Sequence, residues 1–440
     1  MALHGDEVDE VAVSTRWAVL ALAIGGCALI VQAVLVPLWA APQFGLLVNQ
    51  GDLEIYRNGA LQLLHQKPLY AAPVPPGGWF TYPPFAAMCF VPLALLSFGT
   101  ARIAVFAITC FALWATIWRC WRVLGYRGDG RLAVFCLGLA AVAVDIEAVR
   151  GTLWQGQVNL VLMAIIVWDL TGPASARFRG WSVGIATGVK LTAIVFVPYL
   201  IVTRQWRAAA MALTTTAATM LLAWLVAPSD SREYWLRAVR DTDRIGPVTH
   251  PGNQSINGVL ANIWAPATVP TWVWLLCVSI AAAIGFAAAS AAYRLREGLL
   301  GLVVTGLIGC AIPPLAWGHH WVWFVPLLIV LSHYTIRERS RHRTILAATT
   351  AASALAASMW FTAGIFAEIE RLDLTGAPSY VPAMNAAVEQ IPQWGRAVVC
   401  GVPPTVYLTV VIAVLVYRLR SRRARNTVDA QPPIPVSSHN

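Results

Sequence analysis

The chain has 440 residues, of which 58% are hydrophobic and only 12% charged. Soluble domains carry roughly a quarter charged residues, so this composition excludes an ordinary water-soluble globule and points to lipid as solvent. The formal net charge is +10, but the arginines lie in short loops between apolar runs. There is no basic groove and no basic-aromatic interleaving, so the charge reads as anchoring at a membrane surface and no nucleic-acid partner is expected.

The leader holds Asp6, Glu7, Asp9 and Glu10 against the single cation Arg16. The apolar run that follows, 17–38, is about 22 residues, too long for the core of a signal peptide, and has no small-residue cleavage site. It reads as a retained first span. Runs of similar length recur at 102–118, 208–227 and 272–292. No polar stretch is long enough for a soluble domain. The expected fold class is all-α: a polytopic membrane domain over 17–418, with about ten full spans plus re-entrant helices. A cytoplasmic tail (1–16) precedes it, and a basic, then disordered, cytoplasmic tail (419–440) follows. The eight cysteines lack C-x-x-C spacing, so free thiols are expected.

Positive charge orients the spans. Arg418, Arg420, Arg422, Arg423 and Arg425 follow the last apolar run and are assigned to the cytoplasm. The basic loops at 333–343, 293–296, 204–207, 177–179 and 119–131 then also lie inside, and 39–101, 145–157, 228–269, 313–320 and 367–402 lie outside. Two apolar segments conflict with simple crossing. Segment 181–203 is basic at both ends and is expected to enter and return on the cytoplasmic side, turning near Gly188, Val189 and Lys190. Segment 83–98, which opens Tyr82-Pro83-Pro84, is short for a span and is expected to dip from the outside. Irregular backbone at membrane depth survives only inside protein or beside a wet cavity, so both dips point to a cavity open to the outside.

Several polar residues then require explanation. Asp52, in Gly51-Asp52-Leu53-Glu54-Ile55-Tyr56, falls at the outer interface, where a partly desolvated carboxylate suits a general base; a helix N-cap is the plainer reading. Arg150, Gln157 and Asn159 cluster at the outer start of a span. Lys190 stands within the apolar run 185–200, where an unpaired ammonium costs about 2.5–3.5 kcal/mol, so an anionic partner is expected: a lipid phosphate, or structurally Asp145 or Asp169. Asn253 and Gln254 form a second amide cluster, and Asp230 to Asp241 read as an amphipathic interfacial helix. His319 and His320 follow Trp317-Gly318 and open the next span. Adjacent residues cannot share one helix face, so at most one faces a given site. Trp79 and Trp317 could stack on sugar rings, although the 20 tryptophans mostly read as aromatic belts. No clustered carboxylates or H-E-x-x-H spacing call for a metal, and no cofactor is expected.

Six short stretches occur together in order: Asp52-Leu53-Glu54-Ile55-Tyr56-Arg57-Asn58-Gly59-Ala60, Tyr82-Pro83-Pro84-Phe85, Gly156-Gln157-Val158-Asn159, Thr187-Gly188-Val189-Lys190-Leu191-Thr192, Asn253-Gln254-Ser255 and Trp317-Gly318-His319-His320-Trp321-Val322-Trp323. In this order and topological setting the chain resembles glycosyltransferase family 87 of the GT-C superfamily, over roughly residues 17–335. It is most similar to members that extend phosphatidylinositol mannosides through α-(1→2) linkages. Ala193 departs from the family form, which commonly has proline there.

The resemblance implies a plasma-membrane enzyme whose site faces the extracytoplasmic side. The donor would be a polyprenyl-phosphate-mannose and the acceptor a phosphatidylinositol mannoside. Asp52 takes the place of the catalytic acid. Lys190, His319, His320 and Arg150 are candidates for the donor phosphate. Tyr56, Tyr82, Gln157, Asn159, Asn253, Gln254 and Trp317 are candidates for the sugars. A lipomannan-branching mannosyltransferase and a lipid-linked arabinofuranosyltransferase are the near alternatives. A transporter is the distant one, and it would need an inverted repeat, which the sequence lacks.

Overall fold

The computed structural model describes residues 10–35, 49–338, 342–358, 360–374 and 380–429. The acidic leader residues 6, 7 and 9, the start of the first outer loop and the tail beyond 429 lie outside the described residues. The helices in chain order are α1 (Thr15–Leu35), α2 (Gly51–Leu64), α3 (Pro84–Cys89), α4 (Val91–Ala94), α5 (Phe98–Val123), α6 (Gly130–Val142), α7 (Glu147–Gln155) and α8 (Asn159–Leu170). They continue as α9 (Trp181–Val189), α10 (Phe196–Val202), α11 (Trp206–Val226), α12 (Pro228–Leu236), α13 (Ile256–Trp264) and α14 (Thr271–Arg294). The remainder are α15 (Gly298–Ala311), α16 (Phe324–Arg337), α17 (His342–Ala357), α18 (Trp360–Arg371), α19 (Tyr380–Glu389) and α20 (Gln393–Asp429). Among the described residues the only β-structure is isolated bridges.

Five of these helices, α1, α5, α11, α14 and α20, are long and apolar enough to cross a membrane. Their outer faces carry bare aliphatic side chains: Ile103 is 69% exposed and Leu225 73%. Water would not tolerate such surfaces, but lipid does, because a helix satisfies its own backbone and needs only apolar side chains outside. The chain is a multi-pass membrane protein. The expected free thiols are present, with Cys120, Cys136, Cys310 and Cys400 buried.

Long-range contacts sort the loops into two groups. At one end, Val11 pairs with the backbone at 125–127, and Arg119 donates to Thr171. There too, Tyr126 packs against His333, and Tyr334 donates to Glu297 at 2.9 Å. These are the loops whose charge reads as cytoplasmic. At the other end, Gln50 donates to the Trp154 carbonyl, Leu69 N–H to Asp230, and Gln254 N–H to the Ala316 carbonyl. The segments read as outside therefore meet one another.

The two short apolar segments are irregular. The helix over 181–203 breaks at Lys190, whose backbone is extended (φ −143°, ψ 109°), and continues as a 3-10 turn over Leu191–Val195 into α10. Both ends of this segment lie together, since the Arg179 guanidinium donates to Gln205 Oε1 at 3.1 Å. Ala193 sits in this 3-10 turn, its N–H donating to Lys190 O at 3.1 Å. Residues 84–94 form two short helices broken at Phe90, which stacks on Tyr56 with ring centroids 4.4 Å apart. Asp230 to Asp241 make a shorter helix than expected, followed by two 3-10 turns. Its Asp230 is buried and accepts the Leu69 N–H, so the first turn of this helix packs on the first outer loop.

Candidate active site

Asp52 enters at the first turn of α2. The preceding Gln50 is in the left-handed region (φ 49°) and is tied to α7: its backbone N–H donates to Trp154 O at 2.8 Å and its side chain to Leu153 O at 2.5 Å. Asp52 is therefore held against the end of α7. That helix stops at Gly156 (φ +67°), and α8 leaves at 118° to it. A Cβ at Gly156 would come within 2.7 Å of Leu53 Cβ, so the turn requires glycine both for its conformation and for its space.

The sharp turn aims two amides in different directions. Gln157 Nε2 donates to the Asp52 carboxylate. Its Oε1 accepts from Tyr56 O–H at 2.5 Å, and the Tyr56 and Tyr82 hydroxyls lie 2.9 Å apart. Tyr70 fixes the backbone beneath, donating from its hydroxyl to Tyr82 O at 2.7 Å. Two residues on, Asn159 Oδ1 accepts from Lys190 Nζ at 2.8 Å while its Nδ2 donates to His319 O at 2.8 Å. Lys190 Nζ also lies 3.1 Å from His320 Nε2 and 5.7 Å from the centroid of the Tyr82 ring.

Asp52, Gln157, Tyr56, Tyr82, Lys190, Asn159 and His320 thus form one connected cluster drawn from five separate parts of the chain. No carboxylate lies within ion-pair range of Lys190 among the described residues. Asp145 instead takes the Gln32 amide, and Asp169 takes Ser182 and the N–H of Gly180. The two structural ion pairs considered for Lys190 are therefore absent. Asp52 lies outside the membrane-spanning helices, and burial holds its carboxyl above its ordinary range, with the Gln157 hydrogen bond and the Lys190 charge pulling it partly back.

The two histidines make different contacts. His320 reaches Lys190. His319 contributes its carbonyl to Asn159 and Thr152, while its ring packs on His320 with centroids 4.8 Å apart.

A scan against family models matches the description "Glycosyltransferase family 87" over residues 80–314. The chain belongs to glycosyltransferase family 87. Two curated relatives carry this family 87 chain's likeness over most of their length. One is a polyprenol-phosphate-mannose-dependent alpha-(1-2)-phosphatidylinositol mannoside mannosyltransferase of Mycolicibacterium smegmatis, 34% identical over 70% of this chain and 74% of the relative. The other is a polyprenol-phosphate-mannose-dependent alpha-(1-2)-phosphatidylinositol pentamannoside mannosyltransferase of Mycobacterium tuberculosis, 33% identical over 75% of each. No solved structure matches.

The remaining candidates of the family 87 chain stand around the cluster in supporting positions. Asn253 bridges loops: its Nδ2 donates to Val248 O at 2.9 Å, and its Oδ1 accepts from Ala316 N–H at 3.0 Å. Its backbone pairs with that of Trp317, and Gln254 lies beside Gly318. The Trp317 ring packs edge-on with His250, centroids 5.3 Å apart. Arg150 is buried in α7 one turn from Glu147. Trp79 has one face covered by the Arg244 guanidinium, 4.1 Å from its centroid. Sequence reading missed Gln50, Tyr70 and Thr152. Their only signal is three-dimensional, because each acts on backbone brought from elsewhere in the chain.

Proposed function

We propose that this chain transfers mannose from polyprenyl-phosphate-mannose to a phosphatidylinositol mannoside on the extracytoplasmic side, forming an α-(1→2) linkage with inversion. What carries the reading is one connected cluster, in which Gln157 donates to Asp52 and accepts from Tyr56, while Lys190, bonded to Asn159 and His320, lies 5.7 Å from the Tyr82 ring. It sets a proton acceptor at one end and a fixed cation at the other. A β-linked donor attacked by single displacement gives the α product. Asp52 takes the proton of the acceptor 2-hydroxyl as its oxygen bonds to the anomeric carbon, a contribution of about 10²–10⁴ in rate. The bond to the phosphate oxygen breaks as that bond forms, and the departing polyprenyl phosphate gains charge beside Lys190 and His320, where a fixed cation is most effective.

The membrane arrangement belongs to the same reading: about ten full passes, with 181–203 dipping from the cytoplasmic face and 83–98 from the opposite one. It is supported by the sorting of basic loops to one end and by the contact of Arg179 with Gln205. Lys190 then stands at the tip of the first dip, where irregular backbone is sheltered by protein. The closeness of the Gly188 backbone to Phe85 of the other dip, which a Cβ would approach to 2.9 Å, brings the two tips together.

The experiment is direct. Purified protein is incubated with polyprenyl-phosphate-mannose and a series of phosphatidylinositol mannosides, and the product linkage is determined. An α-(1→2)-mannosyl product bears the reading out. Transfer of another sugar, or no transfer by well-folded protein, refutes it.

A further inference from the structure

Helices α8 and α9 meet twice. At the site end, Lys190 Nζ, just past α9, donates to Asn159 Oδ1 at the start of α8, at 2.8 Å. At the opposite end each helix caps the other. The Asp169 carboxylate accepts from the N–H groups of Gly180 and Ser182, at 2.9 and 3.2 Å, and from the Ser182 hydroxyl at 2.6 Å. It thereby takes donors that the start of α9 leaves open.

Arg179 returns the service to α8. Its Nη1 donates to Gly172 O at 2.7 Å and to Asp169 O at 3.2 Å, and its Nη2 to Leu170 O at 2.6 Å. Nη2 and Nε also donate to Gln205 Oε1, at 3.1 and 3.3 Å, at the start of α11. One planar guanidinium thus ties three helix ends together, which its rigid fork of donors allows. The connection between α8 and α9 cannot hold them by itself, since residues 173–178 are exposed. Further along, α9 lies close on α11: a Cβ at Gly184 would overlap the Thr215 side chain, and one at Gly188 that of Thr219.

A helix is stiff along its axis, and α9 is short, nine residues or about 13 Å. A slide at its base therefore reappears at its tip. The Lys190 N–H bonds to Ala186 O at 2.7 Å, so the lysine backbone moves with α9. A displacement of about 1 Å carries Nζ out of hydrogen-bond reach of Asn159. Misplacement of that size, caused far from the chemistry, can cost about 10²-fold in rate.

We propose that Arg179, with Asp169 and Gln205, positions Lys190: the buckle at the base fixes the register of α9 against α8, and so sets where the ammonium meets the departing phosphate. This rests on the glycosyl-transfer reading. Asp52 is held by a separate route, through Gln50 to α7. The buckle therefore governs the cation and not the base.

The test uses full-length protein carrying Arg179→Met, which keeps the aliphatic stem and removes every donor, or Arg179→Lys, which keeps the charge without the fork. Each is made alone and together with Lys190→Met. Single-turnover transfer, acceptor KM and melting temperature are measured on the same samples. Arg179→Met is expected to lower transfer about 10²-fold per folded molecule and to leave acceptor KM unchanged. Arg179→Lys falls between, because one ammonium cannot span the carbonyls and Gln205. In Lys190→Met protein, Arg179→Met should cost nothing more, since it acts through the lysine. A second readout needs no transfer. In a cysteine-free background with Asn159→Cys and Lys190→Cys, a short bifunctional thiol reagent should link the pair, and Arg179→Met should slow the linking severalfold. Losses that multiply in the double variant, normal transfer per folded Arg179→Met molecule, or unaltered cross-linking overturns the proposal. Wild-type protein that transfers no mannose, with cross-linking that still slows in Arg179→Met, places the failure in the transfer reading and leaves the buckle standing.

Discussion

Gln157 and Asp52, 105 residues apart in sequence, are joined by a hydrogen bond from the amide of one to the carboxylate of the other. That bond favours the ionised carboxylate, while burial opposes it and holds the Asp52 pKa above its ordinary range. A base works only when deprotonated, so activity is expected to fall as pH drops through this raised value. Gln157→Met removes the donor and raises the pKa further. The acid limb of the kcat/KM profile should move to higher pH, with rates regained at alkaline pH. A limb that stays in place separates Gln157 from the ionisation of Asp52.

Asp52→Asn keeps the shape of the side chain and its place on α2 but cannot accept a proton. Transfer is expected to fall by about 10²–10⁴ with little change in thermal stability. Glu54→Gln serves as the control, since residues two apart on a helix face different directions. Near-normal turnover by a well-folded Asp52→Asn protein sinks the base assignment.

Lys190 has no carboxylate within ion-pair range among the described residues, and its bonds go to an amide and an imidazole. Lys190→Met is expected to lower single-turnover transfer by about 10²–10³ per folded molecule, because the cation acts on charge that develops as the phosphate leaves. His320→Ala should act in the same direction, and more strongly than His319→Ala, since the Lys190 ammonium bonds to the His320 ring. Thermal stability recorded on the same samples separates the roles. An unstable Lys190→Met protein with normal activity per folded molecule makes the lysine structural.

Arg177 and Arg207 flank the 181–203 segment, and both are exposed. In a cysteine-free background, cysteines at these two positions should react with an impermeant thiol reagent from the same face of the membrane. A cysteine at Ala267, an exposed position in the loop after α13, should react from the opposite face. Labelling of 177 and 207 from opposite faces removes the dip and reverses the orientation of everything on one side of it.

Gly156→Ala forces a Cβ into the space of Leu53 in a left-handed turn, and so strikes the joint that sets Gln157 against Asp52. The expected result is a loss of several degrees in melting temperature, together with a fall in kcat greater than the unfolded fraction explains. Full activity in the remaining folded protein shows that the turn serves stability alone.

The sequence by itself determined the solvent, the helical class and the sorting of loops. Hydropathy and charge act segment by segment, and each apolar run is driven out of water whatever its neighbours do. Sequence also singled out Lys190, since a charge within an apolar run is costly and rarely idle, and Asp52 and the histidine pair by their place at the outer interface. Only the tertiary structure decided how these groups meet. The 118° bend between α7 and α8 turns two nearby amides towards different partners, one to Asp52 and one to Lys190. The same packing chose His320 over His319, and it brought Lys190 to a ring 130 residues away. It also packed α13 against α20, which no local pattern announces. Convergence of this kind depends on side chains far apart in sequence filling one space, and the hydropathy of any single segment carries no record of it.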